Sequence, residues 1–358
     1  MTRRNFTIGL VSLLVFAGLI TAFTITRDGQ QFTPNGRGEV SLEVGTFEAF
    51  PLPDYALPFV TDDYKSYLIE VEPGIKVHVL EVGNGFPVYL QHGNPTSGFL
   101  YRQVATELKD QQVRLIMPTI IGLGFSSKTS VSQHTLENHM RWIASVIKQL
   151  QLSELVFVGQ DWGGPIGMGA LALKPGLLKG AVILNTGLNA PTEAQNLSIP
   201  HALAKAPVLG ELMLEVLVSI FDMMPNTQND PGSLPSEVLE LYSRPLAESG
   251  NSKAPLRLMR MVPDGPNHPS ASQMRVIEDY VASLNIPTEI VWGMNDPILT
   301  KVLPTMKTNF PDAPVTETSG GHFLQEEVPA EIAAAVMRVV KQVQERSATL
   351  GNDRDIGS

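Results

Sequence analysis

Five short, almost uninterrupted apolar runs constrain this chain more than any other feature: "FPVYLQ" (86–91), "VRLIMP" (113–118), "ELVFVG" (154–159), "GAVILN" (180–185) and "TEIVWG" (288–293). A strand with one wet face alternates polar and apolar residues, whereas one covered on both faces does not. The runs therefore predict a parallel sheet sealed between helices. Patterns with apolar residues three and four apart lie between them, notably "TLENHMRWIASVIKQLQ" and, near the end, "PAEIAAAVMRVVKQVQE". Ahead of them "YLIEVEPGIKVHVLEVG" alternates on both sides of Pro73-Gly74, the mark of a hairpin with one solvated face. Strand and helix in alternation, joined by right-handed crossovers, give an α/β sandwich.

Residues 187–275 break that alternation with a helical, Pro- and Met-rich segment, which predicts a cap inserted after the sixth strand. The core is then 61–186 together with 276–345, preceded by a linker and irregular lead-in over 27–60 and followed by a flexible tail over 346–358. No repeat is present. With a formal net charge of -10 and no cluster of Lys and Arg, the chain offers no surface for nucleic acid. It has no cysteine, hence no disulfide, thiolate metal site or cysteine nucleophile. No ligand cluster implies a metal or cofactor.

The N-terminus, "MTRRNFTIGLVSLLVFAGLITAFTITRDG", sets two arginines before an apolar run from Phe6 to Ile25. Such a run, roughly 20 residues, is long enough to cross a bilayer. Residues 1–26 therefore read as an export signal or a membrane anchor, with the body of the chain in a bacterial periplasm. Thr2-Arg3-Arg4-Asn5-Phe6 resembles a twin-arginine signal. Ala22 offers a cleavage site that Ile20 suits poorly, so removal of the segment stays open.

Within "VFVGQDWGGPIG" a buried strand breaks at Gly159 and resumes as a helix of small residues, with Asp161 at the break. Alone, an aspartate among glycines reads as a helix N-cap. Asp296 follows the "TEIVWG" run, however, and His322 follows "APVTET", the expected last strand. Nucleophile, acid and histidine in that order are the catalytic arrangement of an α/β-hydrolase, whose nucleophile sits on a tight strand-to-helix elbow flanked by glycines.

On "QHGNPTSGFLYR" (91–102), "VGQDWGG" (158–164), "GMNDP" (293–297) and "GGHFLQEEVP" (320–329), the chain resembles the haloalkane dehalogenases over most of residues 50–345. The resemblance implies an α/β-hydrolase fold with a mostly parallel central sheet flanked by helices. It also implies that Asp161 attacks a halogen-bearing carbon, that His322 activates water and that Asp296 supports the histidine. Trp162 and a second side-chain donor would hold the halide. The cap has no tryptophan, since the chain's three are Trp142, Trp162 and Trp292, so the second donor is Asn94. The backbone N–H groups of Asn94 and Trp162 would form the oxyanion hole. No carboxylate follows "GAVILN", which leaves Asp296 as the acid; this combination resembles the subfamily with an Asp-His-Asp triad and an Asn-Trp halide pair. The expected partners are a small apolar halogenated substrate, water and halide, with a membrane met only through the N-terminal segment.

Two other functions compete. An epoxide hydrolase uses the same nucleophile but needs cap tyrosines, for which Tyr242 and Tyr280 are available. A membrane-tethered binding protein on a retired hydrolase fold is the other. The cap methionines Met213, Met223, Met224, Met259 and Met261 read as gap-filling core, and His92 as structural.

Overall fold

The structure, a computed structural model, describes residues 27–355. Among these, ten strands form one sheet in the order β1-β2-β3-β4-β6-β5-β7-β8-β9-β10. They are β1 (Glu39–Leu42), β2 (Gly45–Ala49), β3 (Lys65–Glu72), β4 (Ile75–Gly83), β5 (Phe86–Gln91), β6 (Val113–Pro118), β7 (Leu155–Gly159), β8 (Leu178–Ile183), β9 (Thr288–Gly293) and β10 (Val315–Thr318). The strands from β5 onward pair in parallel, and β1 to β4 form an antiparallel extension that joins through β4 and β6. Burial follows the expected pattern: β7 is buried at every residue, while β1 alternates between exposed and half-buried positions.

Three boundaries differ from the sequence reading. The span 27–60 is not only a lead-in, because it contains β1 and β2. Their pattern, Val40 and Leu42 against Phe47 across a turn at Gly45, is too short to stand out from the surrounding Gly and Pro. The helix Ala271–Ala282 crosses the expected cap boundary at 275 and packs on the helix Gly163–Ala172, so it belongs to the core flank. The last helix runs Pro329–Asp355, into the span read as a tail. Residues 1–26, expected from the sequence to export or anchor the chain, lie outside the described residues. Among those described, no helix is long and apolar enough to cross a membrane.

The segment read as the cap follows β8, which is the sixth strand counted from β3 because β1 and β2 were not foreseen. Its helices include Ile199–Lys205, Ser236–Glu248 and Ala254–Arg260, with a π-helical turn at Leu212–Leu217. Ala204, Leu214, Leu256 and Met259 form a small core of its own. A buried ion pair ties the cap to the body: Arg102 meets both Glu326 carboxylate oxygens at 2.7 and 2.8 Å, and Tyr242 from the cap donates to the same carboxylate at 2.8 Å. Removing one member of such a pair leaves the other charge buried alone, which typically costs about 3–5 kcal/mol. Glu326→Ala is accordingly expected to lose stability on that scale in urea unfolding, and Glu326→Gln, which also removes the charge but keeps an acceptor for Tyr242 and Arg102, somewhat less.

Candidate active site

The elbow is built by close backbone approach. Asp161 adopts φ +49°, a left-handed conformation uncommon for a residue with a side chain. Its N–H donates to the Asn185 carbonyl at 2.7 Å, and its own carbonyl accepts from Thr186 Oγ1 at 2.6 Å, which fixes the turn from the β8 side. The glycines are required by space. A Cβ at Gly163 would stand 2.1 Å from the Gln91 carbonyl oxygen, one at Gly164 2.1 Å from Thr186 Oγ1, and one at Gly93 2.3 Å from Asp161 Oδ1.

The three sequence-selected groups converge. His322 Nδ1 lies 2.9 Å from Asp296 Oδ2, and His322 Nε2 lies 3.7 Å from Asp161 Oδ2. A carboxylate only accepts, so Asp296 keeps the imidazole proton on Nδ1 and leaves the Nε2 lone pair facing Asp161. Burial disfavours a charged imidazole, but the charge and hydrogen bond of Asp296, aided by the Asp161 carboxylate, outweigh it and hold the His322 pKa above 6.5. Burial works against ionised Asp296 too, yet His322, the Asn185 amide and the Ile298 N–H hold its pKa below 3.8.

Asn94 and Trp162 flank Asp161 in different ways. The Asn94 N–H donates to Asp161 Oδ1 at 2.7 Å, so one carboxylate oxygen is already held by an oxyanion-type donor. No corresponding bond from the Trp162 N–H to Asp161 occurs among the described residues. Trp162 and Asp161 both line a cavity of about 480 Å³ beneath the cap. Asn94 is not on that lining; one of its amide hydrogens goes to the Pro255 carbonyl at 3.1 Å. An amide has two such hydrogens, and the second has no partner among the described residues.

Four supporting residues escaped the sequence reading. Asn185 donates to Asp296 Oδ2 at 2.8 Å and accepts from the Gly293 N–H at 2.7 Å, holding the acid against β9. Gln160 is fully buried and donates to the His322 carbonyl at 3.0 Å. From the cap, the Thr227 carbonyl accepts from the His322 N–H, and the Gln228 amide bonds Phe323 in both directions. A polar amide at the end of a buried apolar run was the available signal for Asn185 and Gln160. Nothing local marks Thr227 or Gln228. The last missed residue is His201, which lines the cavity from the cap with Nδ1 2.8 Å from Ser198 Oγ.

A family model for the alpha/beta hydrolase fold matches residues 87–329, and the chain belongs to that family. It is a hydrolase similar to the haloalkane dehalogenases. Haloalkane dehalogenase 2 of Mycobacterium tuberculosis is 28% identical over 268 residues, 73% of this chain and 90% of the relative. A cis-3-alkyl-4-alkyloxetan-2-one decarboxylase of Shewanella oneidensis is 29% identical over 291 residues, 79% of this chain and 90% of the relative. Among solved structures, haloalkane dehalogenase DatA from Agrobacterium tumefaciens C58 superposes with a TM-score of 0.70 at 25% identity, covering 80% of this chain and 100% of that one. The epoxide hydrolase CorEH shares the fold at a TM-score of 0.63 and 17% identity, covering 77% of this chain and 98% of that one.

Because the Gly93 Cα hydrogen at the Cβ position faces the Asp161 carboxylate, Gly93→Ala is expected to lower turnover by at least about 10²-fold through displacement of Asp161. The fold should tolerate the change better than Gly163→Ala, which presses on main chain. Comparing kcat with the thermal midpoint of each variant checks this.

Proposed function

We propose that this protein hydrolyses haloalkanes through a covalent ester on Asp161. The observation that carries the reading is the division of labour between the two Asp161 oxygens. Oδ1 is held by the Asn94 N–H, and Oδ2 is left toward the cavity with His322 Nε2 3.7 Å away. Oδ2 attacks the carbon in line, the carbon–halogen bond breaks, and the halide leaves with the electron pair. Neutral donors, the Trp162 indole N–H and the second Asn94 amide hydrogen, receive the halide without pairing with Asp161. His322 Nε2 then takes a proton from water, whose oxygen adds to the ester carbonyl carbon. The negative charge passes to Oδ1, where the N–H groups of Asn94 and Trp162 are the oxyanion donors. Collapse releases the alcohol and restores the carboxylate. The balance is one water consumed, with alcohol, halide and a proton formed.

The epoxide reading loses its acid. The Tyr242 hydroxyl is fully buried and committed to Glu326 and Arg102, and Tyr280 is not on the cavity lining. A second reading is favoured by the polar cap wall, where His201, Ser198 and Asn196 line the cavity. A haloalkane offers these groups nothing to bind, whereas the ring and carbonyl oxygens of an oxetan-2-one would accept from them. We also propose that residues 1–26 export or anchor the chain, with the body on the periplasmic side.

Incubation with a 1-bromoalkane is expected to release bromide and acid in equal amounts, and one turnover in heavy-oxygen water should leave the label in the Asp161 carboxylate. Alkene and carbon dioxide from a cis-3,4-dialkyloxetan-2-one, without bromide release, would select the second reading. Trp162→Phe should slow bromide release by about 10²-fold, the usual loss for one stabilising donor of about 3 kcal/mol. The acid limb of kcat should lie above pH 6.5, because His322 must be neutral to take a proton and its pKa is raised. In Asp296→Asn that limb moves to lower pH and kcat falls by about 10²–10⁴-fold, as the imidazole loses its charge partner and fixed tautomer.

A further inference from the structure

The exposed apolar side chains are unevenly spread. Twelve large hydrophobic residues are exposed among those described, and six fall on the outer cap face: Ile199, Val208, Leu209, Val216, Leu217 and Val218. They are half of the twelve. Gly210 lies against the Leu203 and Ala204 carbonyls, so the helix Ile199–Lys205 and the segment after Val208 pack directly together. Ala204 and Leu214 turn into the small cap core while the six turn out. Contiguous apolar surface of this kind marks an interaction site more often than chance exposure does. Ile199, 85% exposed, follows Ser198 on the cavity lining, and Ile298, 39% exposed, lines the cavity from the opposite side. One end of the apolar face, Ile199, therefore lies next to a cavity-lining residue.

What covers this face is indicated by the start of the chain. Asp28 Oδ1 accepts from the Val131 N–H at 2.9 Å, and the Gln30 carbonyl accepts from Asn251 Nδ2 at 3.0 Å. Two residues beyond Asn251, Lys253 pairs with Glu215, the neighbour of Val216. The chain thus enters the body beside the outer cap, immediately after the apolar run from Phe6 to Ile25. A tether of so few residues, at most about 3.5 Å each, holds the cap close to whatever surface receives that run. Charge also points to an uncharged acyl boundary rather than an anionic headgroup surface. Of the cap cations, Lys205, Arg260, Lys253 and Arg244 are matched by Asp264, Glu211, Glu215 and the Glu240–Glu248 pair, and Arg257 alone has no ion pair among the described residues.

We propose that the outer cap face, centred on Leu209 and Leu217, lies in the interfacial layer of the bilayer that holds the N-terminal run. The cavity mouth then opens at the membrane, and the enzyme takes long-chain apolar substrates dissolved in it. The proposal rests on the anchor reading of residues 1–26, and its substrate class rests on the dehalogenase reading. Apolar side chains at the headgroup–acyl boundary are stabilised by burial there, and lipophilic substrates are concentrated in the same layer.

The chain has no cysteine, so single labels can be introduced cleanly. Full-length Leu209→Cys, Leu217→Cys and, as a control, Leu173→Cys would be spin-labelled and reconstituted in phosphatidylcholine vesicles. Leu173 ends the helix that starts at the elbow, at the far end of the sheet from the cap. Labels at 209 and 217 are expected to be open to oxygen and protected from a water-soluble nickel chelate, with the label at 173 open to both. Labels in water at all three positions on chains that float with the vesicles would overturn the proposal while leaving the anchor standing. Failure to float would overturn both. Protection from both reagents with spin–spin broadening would assign the face to a second copy instead, and also overturn it. In a parallel assay, Leu209→Asp with Leu217→Asp should raise KM for 1-bromodecane in vesicles about tenfold and leave KM for 2-bromoethanol unchanged. Equal changes for both substrates would overturn the membrane route. Absence of bromide release from either one would reject the dehalogenase reading and the substrate class with it, leaving the label positions to decide the membrane contact.

Discussion

The functional half of this molecule depends on the crowding of main chain around Asp161. A left-handed residue at the end of β7 turns the chain sharply enough to lift its carboxylate clear of the sheet. That turn exists only because Gly93, Gly163 and Gly164 let neighbouring backbone and side chains come within distances that any Cβ would occupy. The carboxylate is delivered to the N–H of Asn94 and the edge of the cavity by the same approach. Local conformational cost at the elbow, about 1–3 kcal/mol for a residue of this kind, is borne by the buried sheet on either side.

Around that point the protein keeps a line of titratable groups in a place where charge is disfavoured. His322 is buried between two carboxylates, and its environment favours the charged imidazole even though burial alone would not. Asp296 is stabilised by partners from three directions, the Asn185 amide, the Ile298 N–H and His322 itself. Each bond replaces water that the closed cap removes, which is why the supporting amides of Asn185, Gln160 and Gln228 are as fully buried as the groups they hold or nearly so.

The cap contributes more than a lid. Its carbonyl at Thr227 and amide at Gln228 fix the His322 loop, its Pro255 carbonyl orients the Asn94 amide, and its Tyr242 joins the Arg102–Glu326 pair. The surroundings of Asp161 and the cavity are thereby mechanically joined, since the segment that lines the cavity also holds His322 and Asn94. The cavity it encloses has one apolar side and one polar side, the latter from Ser198 and His201. The outer surface of the same cap carries the apolar face next to the chain's entry point.

The sheet was legible because burial on both faces leaves a continuous apolar run; "FPVYLQ", "VRLIMP" and "TEIVWG" coincide with β5, β6 and β9 residue for residue. At β8 the run misled by two residues, since Leu184 is buried without being part of the strand, and apolarity reports burial rather than pairing. Asp161, Asp296 and His322 were legible because each follows a strand at its end, where order along the chain translates directly into position on one edge of the sheet. By itself, then, the sequence determined the layered fold, the elbow and the order of the three side chains that converge there, all set by local pattern. Only the tertiary structure decided which oxygen of Asp161 is held, which amides support His322 and Asp296, that Asn94 leans on the cap, and that His201 enters the cavity. Those are contacts between segments far apart in the chain, and no periodicity in a sequence encodes where two distant side chains will meet.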